Sequence, residues 1–441
     1  MTSVPAVTAP APTDSLADTM HALDLWQRTA EPHAFPYLTL LGHLRAVGKH
    51  FLAEELLDRL AELRGTLPRV ASLDASASGG TVQERQPSGR FLLTFLDVVL
   101  DKHDHRYDYP SYTALPLLAR PSAVPWQEAR RLRDETLLLL LADLVLFEQQ
   151  ALGDDPAAPH GMPPGADLVA KRIRLAVRVM EPAALRILPP GVVDPAAVAA
   201  VPGRSPGLPL ARAVLRTATA HDELVLSATM QPVYVLHDEY LFLRTLQSFE
   251  TTFSFMSASL AAAVRCLGEN RPEQAAARVG AVADVLKESL PLFSLLATMR
   301  PEAFRTFRDF TEGASAIQSA GYKTFESLCS TPAAARLDSA AFTSVPSVRA
   351  RVLRGRPTVQ GTWSDLAAAH RLTPEAETAL DTAAARLEAV HQRWKQTHYR
   401  LAVRMLGERT GTGYTQGVPY LASVLDNRLF PAGDRDSALV G

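Results

Sequence analysis

Cysteine is nearly missing from this 441-residue chain: Cys266 and Cys329 are the only two. A disulfide framework and a thiolate metal cluster are therefore excluded, and a reducing compartment is the natural setting. An excess of one charge is missing as well, because 45 basic and 47 acidic residues are mixed along the chain and leave a net charge of −2. Proteins that bind nucleic acid or anionic membranes carry a basic footprint, so the expected partner is a small molecule or another protein. No apolar run is long enough to span a bilayer; the longest, LLLLLADLVLF from Leu137 to Phe147, is interrupted by Asp143 and reads as a buried helix. The N-terminal MTSVPAVTAPAPTDS has neither a basic start nor an apolar stretch, so it reads as a disordered tail instead of a signal peptide. The chain is expected in the cytoplasm.

Strand-like alternation of any length is also lacking. Leu, Ala, Arg and Glu recur at three- and four-residue spacing over 39–64, 126–152, 167–179, 237–267, 274–296, 334–345 and 374–406, which predicts an all-α fold. With 47% hydrophobic residues the chain can bury a large core. Three stretches rich in Gly, Pro and Ser break the rhythm, at 72–89, 153–165 and 202–209, and the last marks the expected domain boundary. The expected organisation is a tail over 1–20, a helical N-terminal extension over 21–200 and a helical-bundle domain over 210–432. Asp-Glu pairs precede or open apolar-striped segments at 134–135, 222–223 and 238–239. They read as helix N-terminal acids or as traces of an internal duplication.

Local signals for chemistry are few. No phosphate loop or Ser-His-Asp context is present. The segment DKHDHRYDY at 101–109 offers His103 and His105 among carboxylates, enough for a divalent metal, but no distant third ligand can be named and a solvated loop is the ordinary reading. On the helix over 374–406, His391, Trp394, His398, Leu401, Ala402 and Met405 share one face. His398 on that face is either a hydrogen-bonded core residue or a ligand, and local pattern leaves both open, with His391 as its rival one repeat earlier. The Gly411-Thr412-Gly413 segment that follows is either a helix-ending turn or a loop that approaches a ligand closely.

Three blocks change the weighing. HDEYLFLRTLQSFE (237–250), FRDFTEGASAIQSAGYKTFE (307–326) and HYRLAVRMLGERTGTGYTQGVPYL (398–421) occur in this order, and together they resemble the tryptophan 2,3-dioxygenase family over roughly 221–431. The resemblance implies an all-α bundle enclosing a b-type heme, and a heme-dependent dioxygenase that opens the indole ring of tryptophan or a substituted tryptophan with O2. It implies His398 as the axial iron ligand, leaving one face of the iron open for O2. Trp394 then belongs to the heme wall, and Ser315, Gln318 and Ser319 to the heme edge and propionates. It also implies that Arg308 grips the substrate carboxylate through a two-point guanidinium contact, that Thr412 closes over the amino-acid end, and that Phe242 packs against the indole. Parts of the family's pocket come from a neighbouring subunit, so a homo-oligomer is expected.

The departures carry information too. Leu246 stands where the family's tryptophan enzymes carry a distal histidine, which removes what reads as the only side chain of the block able to accept the indole proton. Phe304 replaces a tyrosine beside the carboxylate, Thr311 an apolar residue beside the ring, and Ala316 a glycine near the bound gas. These changes leave heme binding intact and open the substrate question. Other readings of the same blocks are an aromatic amino-acid monooxygenase of secondary metabolism and a catalytically silent heme-binding sensor.

Overall fold

The computed structural model describes residues 13–67, 88–106, 108–119, 124–152, 161–189, 207–406 and 417–431, and among them no strand forms. The one β-like contact is an isolated bridge between Gly161 and Leu236. The all-α expectation holds.

The N-terminal part is a group of short helices: α1 (Thr13–Gln27), α2 (Tyr37–Val47), α3 (Glu54–Thr66), α4 (Gly89–Val99), α5 (Tyr109–Tyr112) and α6 (Leu115–Leu118). Residues 13–20 of the expected tail belong to helix α1, and residues 1–12 lie outside the described residues. The single helix expected over 39–64 is broken at Gly48, whose φ of 86° ends α2. A Cβ at that position would meet the Val233 carbonyl oxygen at 2.8 Å, so only glycine lets the chain turn there. Leu40, Leu44, Leu56, Leu60, Leu92 and Phe95 form the apolar centre of this group. Full burial of each such side chain contributes about 1.5–3 kcal/mol.

Two long helices follow, α7 (Trp126–Gln150) and α8 (Ala166–Ile187), then α9 (Leu208–Leu215) and α10 (Ala220–Ala228). The Leu137–Phe147 run is buried within α7 as the sequence predicts. Asp143 interrupts it because it has work there: the Tyr240 hydroxyl donates to it at 2.6 Å and Arg244 Nε at 2.7 Å. The long α11 (His237–Gly268) comes next, followed by α12 (Pro272–Ser289), α13 (Pro291–Leu296) and α14 (Pro301–Arg308). The helix expected over 274–296 is split at Leu290, since Pro291 has no N–H to continue the ladder and opens a new helix. Helices α15 (Ala320–Cys329), α16 (Ala334–Leu337), α17 (Ala340–Thr343), α18 (Pro346–Leu353) and α19 (Val359–Ala368) lead to α20 (Pro374–Leu406), and α21 (Val418–Ser423) is the last. The helix expected over 334–345 is thus two short pieces, whereas the one over 374–406 has its expected bounds.

One large core joins α7 and α8 to α11, α12 and α20, so apolar packing runs across the 202–209 segment. Both α11 and α20 pack on α12, and the cavity described below lies between them. The three Asp-Glu pairs do not make a repeated unit. Asp134 sits inside α7 and pairs with Arg186 at 2.6 Å. Asp222 forms a capping box with Thr219. Asp238 is buried and receives Arg172 at 2.7 Å. Arg172, itself fully buried, also reaches Glu148 at 3.0 Å and the Thr298 carbonyl at 3.2 Å. That network fixes the first turn of α11 against α7 and α8.

Candidate active site

Helix α11 begins where Glu239, one turn in, accepts the backbone N–H groups of Val233 (2.7 Å) and Tyr234 (3.0 Å) and the Tyr112 hydroxyl (3.3 Å). Burial raises the Glu239 carboxyl to about 8, so it keeps its proton near neutrality. This anchorage sets the rotation of α11, and side chains at steps of three and four then face inward: Phe242, Leu246, Phe249, Glu250 and Phe253 line a cavity of about 290 Å³. From the opposite side α20 presents His391, Trp394, His398, Leu401, Ala402 and Met405, the same face the periodicity predicts. Helix α14 adds Phe304, Phe307 and Arg308, and the following segment adds Thr311, Ser315, Ala316 and Ser319.

Residues from three distant blocks therefore meet around one space. The His398 ring stacks on Phe293 (centroids 5.6 Å, 18°) and lies against Trp394 at 5.4 Å. Among the described residues it makes no hydrogen bond, and burial lowers its pKa to about 4, so the imidazole is neutral at physiological pH. His391 differs. Its Nε2 is engaged by the Tyr322 hydroxyl at 2.7 Å while Nδ1 has no partner among the described residues, and burial, followed by the Lys395 charge, pushes its pKa down to about 3. Trp394 Nε1 is likewise buried without a partner among the described residues.

Phe242 contacts Phe304 and Phe307 at centroid distances of 5.6 and 5.4 Å, which builds an aromatic wall beside Arg308. Leu246 packs with Tyr109, Tyr112 and Leu243. Gln318 is not part of the lining. Its amide oxygen accepts the backbone N–H of Tyr109 at 2.9 Å and of Ser315 at 3.2 Å, so it ties α5 to the segment that carries Ser315. Thr412, with Gly411 and Gly413, lies outside the described residues.

Sequence reasoning missed two groups. Tyr109 and Tyr112 come from the first half of the same chain and line the cavity, although that half is not covered by the three blocks. Their segment is held down nearby: Lys49 pairs with Asp101 at 2.9 Å in the interior, and Lys102 Nζ donates to the Phe310 carbonyl at 2.6 Å. His103 goes to Asp58 at 3.1 Å, and Tyr109 at the end of the DKHDHRYDY segment lines the cavity. Among the described residues no group of three or more metal-binding side chains is present there.

The second missed group is a buried charge cluster at the Trp394 side. Arg336 makes a two-point contact with Glu326 (2.7 and 2.9 Å), and Lys323 lies 3.5 Å from the same carboxylate. Burial opposes ionisation of Glu326, yet Lys323 and Arg336 hold its pKa at about 2. Lys395 donates to the carbonyls of Val424 (3.1 Å) and Leu425 (2.7 Å). Lys323, Arg336 and Lys395 outnumber Glu326 in this part of the lining, so the end of the cavity suits an anionic group. A lysine or arginine in a helical stripe looks solvated in sequence, and only burial distinguishes these.

No family model matches the chain. Among curated proteins, it is 28% identical over 235 residues to the tryptophan 2,3-dioxygenase of Bacillus anthracis, a match over 44% of this chain and 82% of the relative. The tryptophan 2,3-dioxygenase of Polaromonas naphthalenivorans (strain CJ2) is 27% identical over 245 residues, 48% of this chain and 86% of the relative. That of Bordetella pertussis is 27% identical over 244 residues, with 48% and 85% covered. The resemblance read from the three blocks is borne out over about half the chain.

Proposed function

From a chain that is a divergent relative of the tryptophan 2,3-dioxygenases over about half its length, we propose a heme-dependent dioxygenase that cleaves the indole ring of tryptophan or a substituted tryptophan. The observation that carries the reading is the convergence of Phe242, Leu246, Arg308 and His398, from separate blocks, together with Trp394, on one largely aromatic cavity. The donor set fits a heme. A neutral, partly buried imidazole without a hydrogen bond among the described residues is a competent iron ligand, and the Lys323, Arg336 and Lys395 cluster would receive the acidic side chains of the macrocycle. Orphaned polar atoms such as Trp394 Nε1 also suggest that the cavity is built around a group. When bound, the heme supplies a ferrous centre that takes up O2.

The chain's own groups do the rest. Arg308 holds the substrate carboxylate by charge-assisted bonds and so fixes the amino-acid end. Phe242, with Phe304 and Phe307 behind it, gives the indole a flat apolar face. Leu246 leaves space where an imidazole would stand, which accommodates substituents near the indole nitrogen. Domains follow the same logic: residues 210–432 carry the heme cavity, and the helical extension over 21–200 supplies part of its wall. Reduced protein given O2 and an indole amino acid is expected to yield a ring-opened product that holds both atoms of one labelled oxygen molecule, read by mass spectrometry. A single labelled atom in an intact ring would reassign the protein to monooxygenation, and absence of product with any indole or phenol amino acid would leave a sensor.

A further inference from the structure

The proposed reaction has to handle the indole N–H proton, and Leu246 cannot do so. Glu250, one helical turn further along α11 and about 6 Å along its axis, belongs to the same inward stripe. Among the described residues it is the only carboxyl of the lining besides Glu326, and Glu326 is committed to Arg336 and Lys323. His391 is bound to Tyr322, and burial holds its pKa at about 3, too low for it to accept a proton near neutrality. Glu250 is different. It is 7% exposed, the hydroxyls of Tyr109 and Ser319 face its carboxyl, and among the described residues its Oε1 has no hydrogen-bond partner.

A second carboxyl–tyrosine pair on the same helix shows the contrast. Glu239 is saturated by two backbone N–H groups and the Tyr112 hydroxyl, which is a structural arrangement. The Glu250 carboxyl keeps an unfilled acceptor position, and Gly321 is the residue that leaves it space, since a Cβ there would lie 2.9 Å from Oε2. Burying a carboxyl with an acceptor unfilled is costly, and such a group persists where a proton or a ligand is exchanged.

We propose that Glu250 and Tyr109 form the proton-handling pair of this cavity, taking the place of the imidazole that Leu246 excludes. The inference rests on the dioxygenase reading. Ring opening consumes one O2 and no net proton: the two ring carbons are oxidised and O2 is reduced, with two carbon–oxygen bonds formed and the ring carbon–carbon and O–O bonds broken. Glu250 accepts the indole N–H proton, passed through the Tyr109 hydroxyl, as the first carbon–oxygen bond forms. It returns the proton to the same nitrogen, by then an amide, as the ring carbon–carbon bond breaks. Burial raises the Glu250 pKa to about 7, and the two groups that face it, Tyr109 and Ser319, are uncharged.

Glu250→Gln and Tyr109→Phe, made in the full-length protein, test the pair. Both variants should keep the parent heme content and KM. The parent kcat should fall as pH drops through about 7, because the accepting form is the carboxylate, whereas Glu250→Gln should lose about 100-fold in kcat and that acid limb. A readout independent of turnover is the infrared C=O stretch of a protonated carboxyl: a band titrating near neutrality in the parent, missing in Glu250→Gln and shifted in Tyr109→Phe. Parent-like kcat and pH profile in Glu250→Gln, or loss of heme in that variant, would overturn the proposal. If the parent itself opens no indole ring, the dioxygenase reading fails. The infrared titration then still decides separately, since a carboxyl band unaffected by Glu250→Gln removes Glu250 as the proton holder.

Discussion

Removing the guanidinium of Arg308 should abolish amino-acid recognition while sparing the cofactor. Arg308 follows Phe307, whose ring packs on Phe242 at 5.4 Å, so it stands on the indole side of the cavity. The cations Lys323 and Arg336 instead surround Glu326 and cannot take its place. Phe304 offers no hydroxyl as a second carboxylate partner, so the proposed grip on the carboxylate rests chiefly on Arg308. Truncation to alanine deletes a charge-assisted pair and leaves the carboxylate poorly solvated among Phe242, Phe304 and Phe307, a loss of about 2–4 kcal/mol. That corresponds to about 30-fold to nearly 1,000-fold in Kd. The assay is a titration of the heme absorption spectrum with L-tryptophan and with tryptamine, which lacks the carboxylate. Arg308→Ala should bind both equally weakly, and the parent should favour the amino acid by the full factor. Parent-like discrimination in the variant would refute the clamp.

His398→Ala should fail to incorporate heme, whereas His391→Gln should retain it, because His391 is occupied by Tyr322; parent-like heme content and ferrous spectrum in the His398 variant would remove the axial assignment. Arg172→Ala leaves Glu148 and Asp238 buried without their shared cation. It should destabilise the protein by about 3–5 kcal/mol, seen as a lower denaturant midpoint, and a loss under about 1 kcal/mol would show that the network adds little.

The sequence is most informative where periodicity and composition are unambiguous. The uninterrupted stripe of 374–406 gives α20 its bounds and puts His391, Trp394 and His398 on one face. It is least informative where backbone geometry or burial decides. Gly48 breaks a helical pattern because the neighbouring Val233 carbonyl leaves no room for a Cβ, and no local spacing signals that. Leu246 stands where the resemblance implies a distal histidine, but Glu250 in the same block reads as an ordinary helical acid until its burial and unfilled oxygen are seen. Tyr109 and Tyr112 reach the cavity by tertiary packing of a segment more than a hundred residues away from α11. Gln318 is the converse case: the resemblance implies a heme contact, and its amide is used to hold α5.

The same packing changes how the pocket depends on concentration. Tyr109 and Tyr112 are carried by the chain whose α11 and α20 form the other walls, so this part of the cavity is closed by an intramolecular contact. A wall lent by another subunit departs by mass action when protein is diluted, with a midpoint set by the dissociation constant. A wall supplied in cis stays at a fixed effective concentration, so whatever the chain's assembly state, dilution alone does not strip these two tyrosines from their cavity.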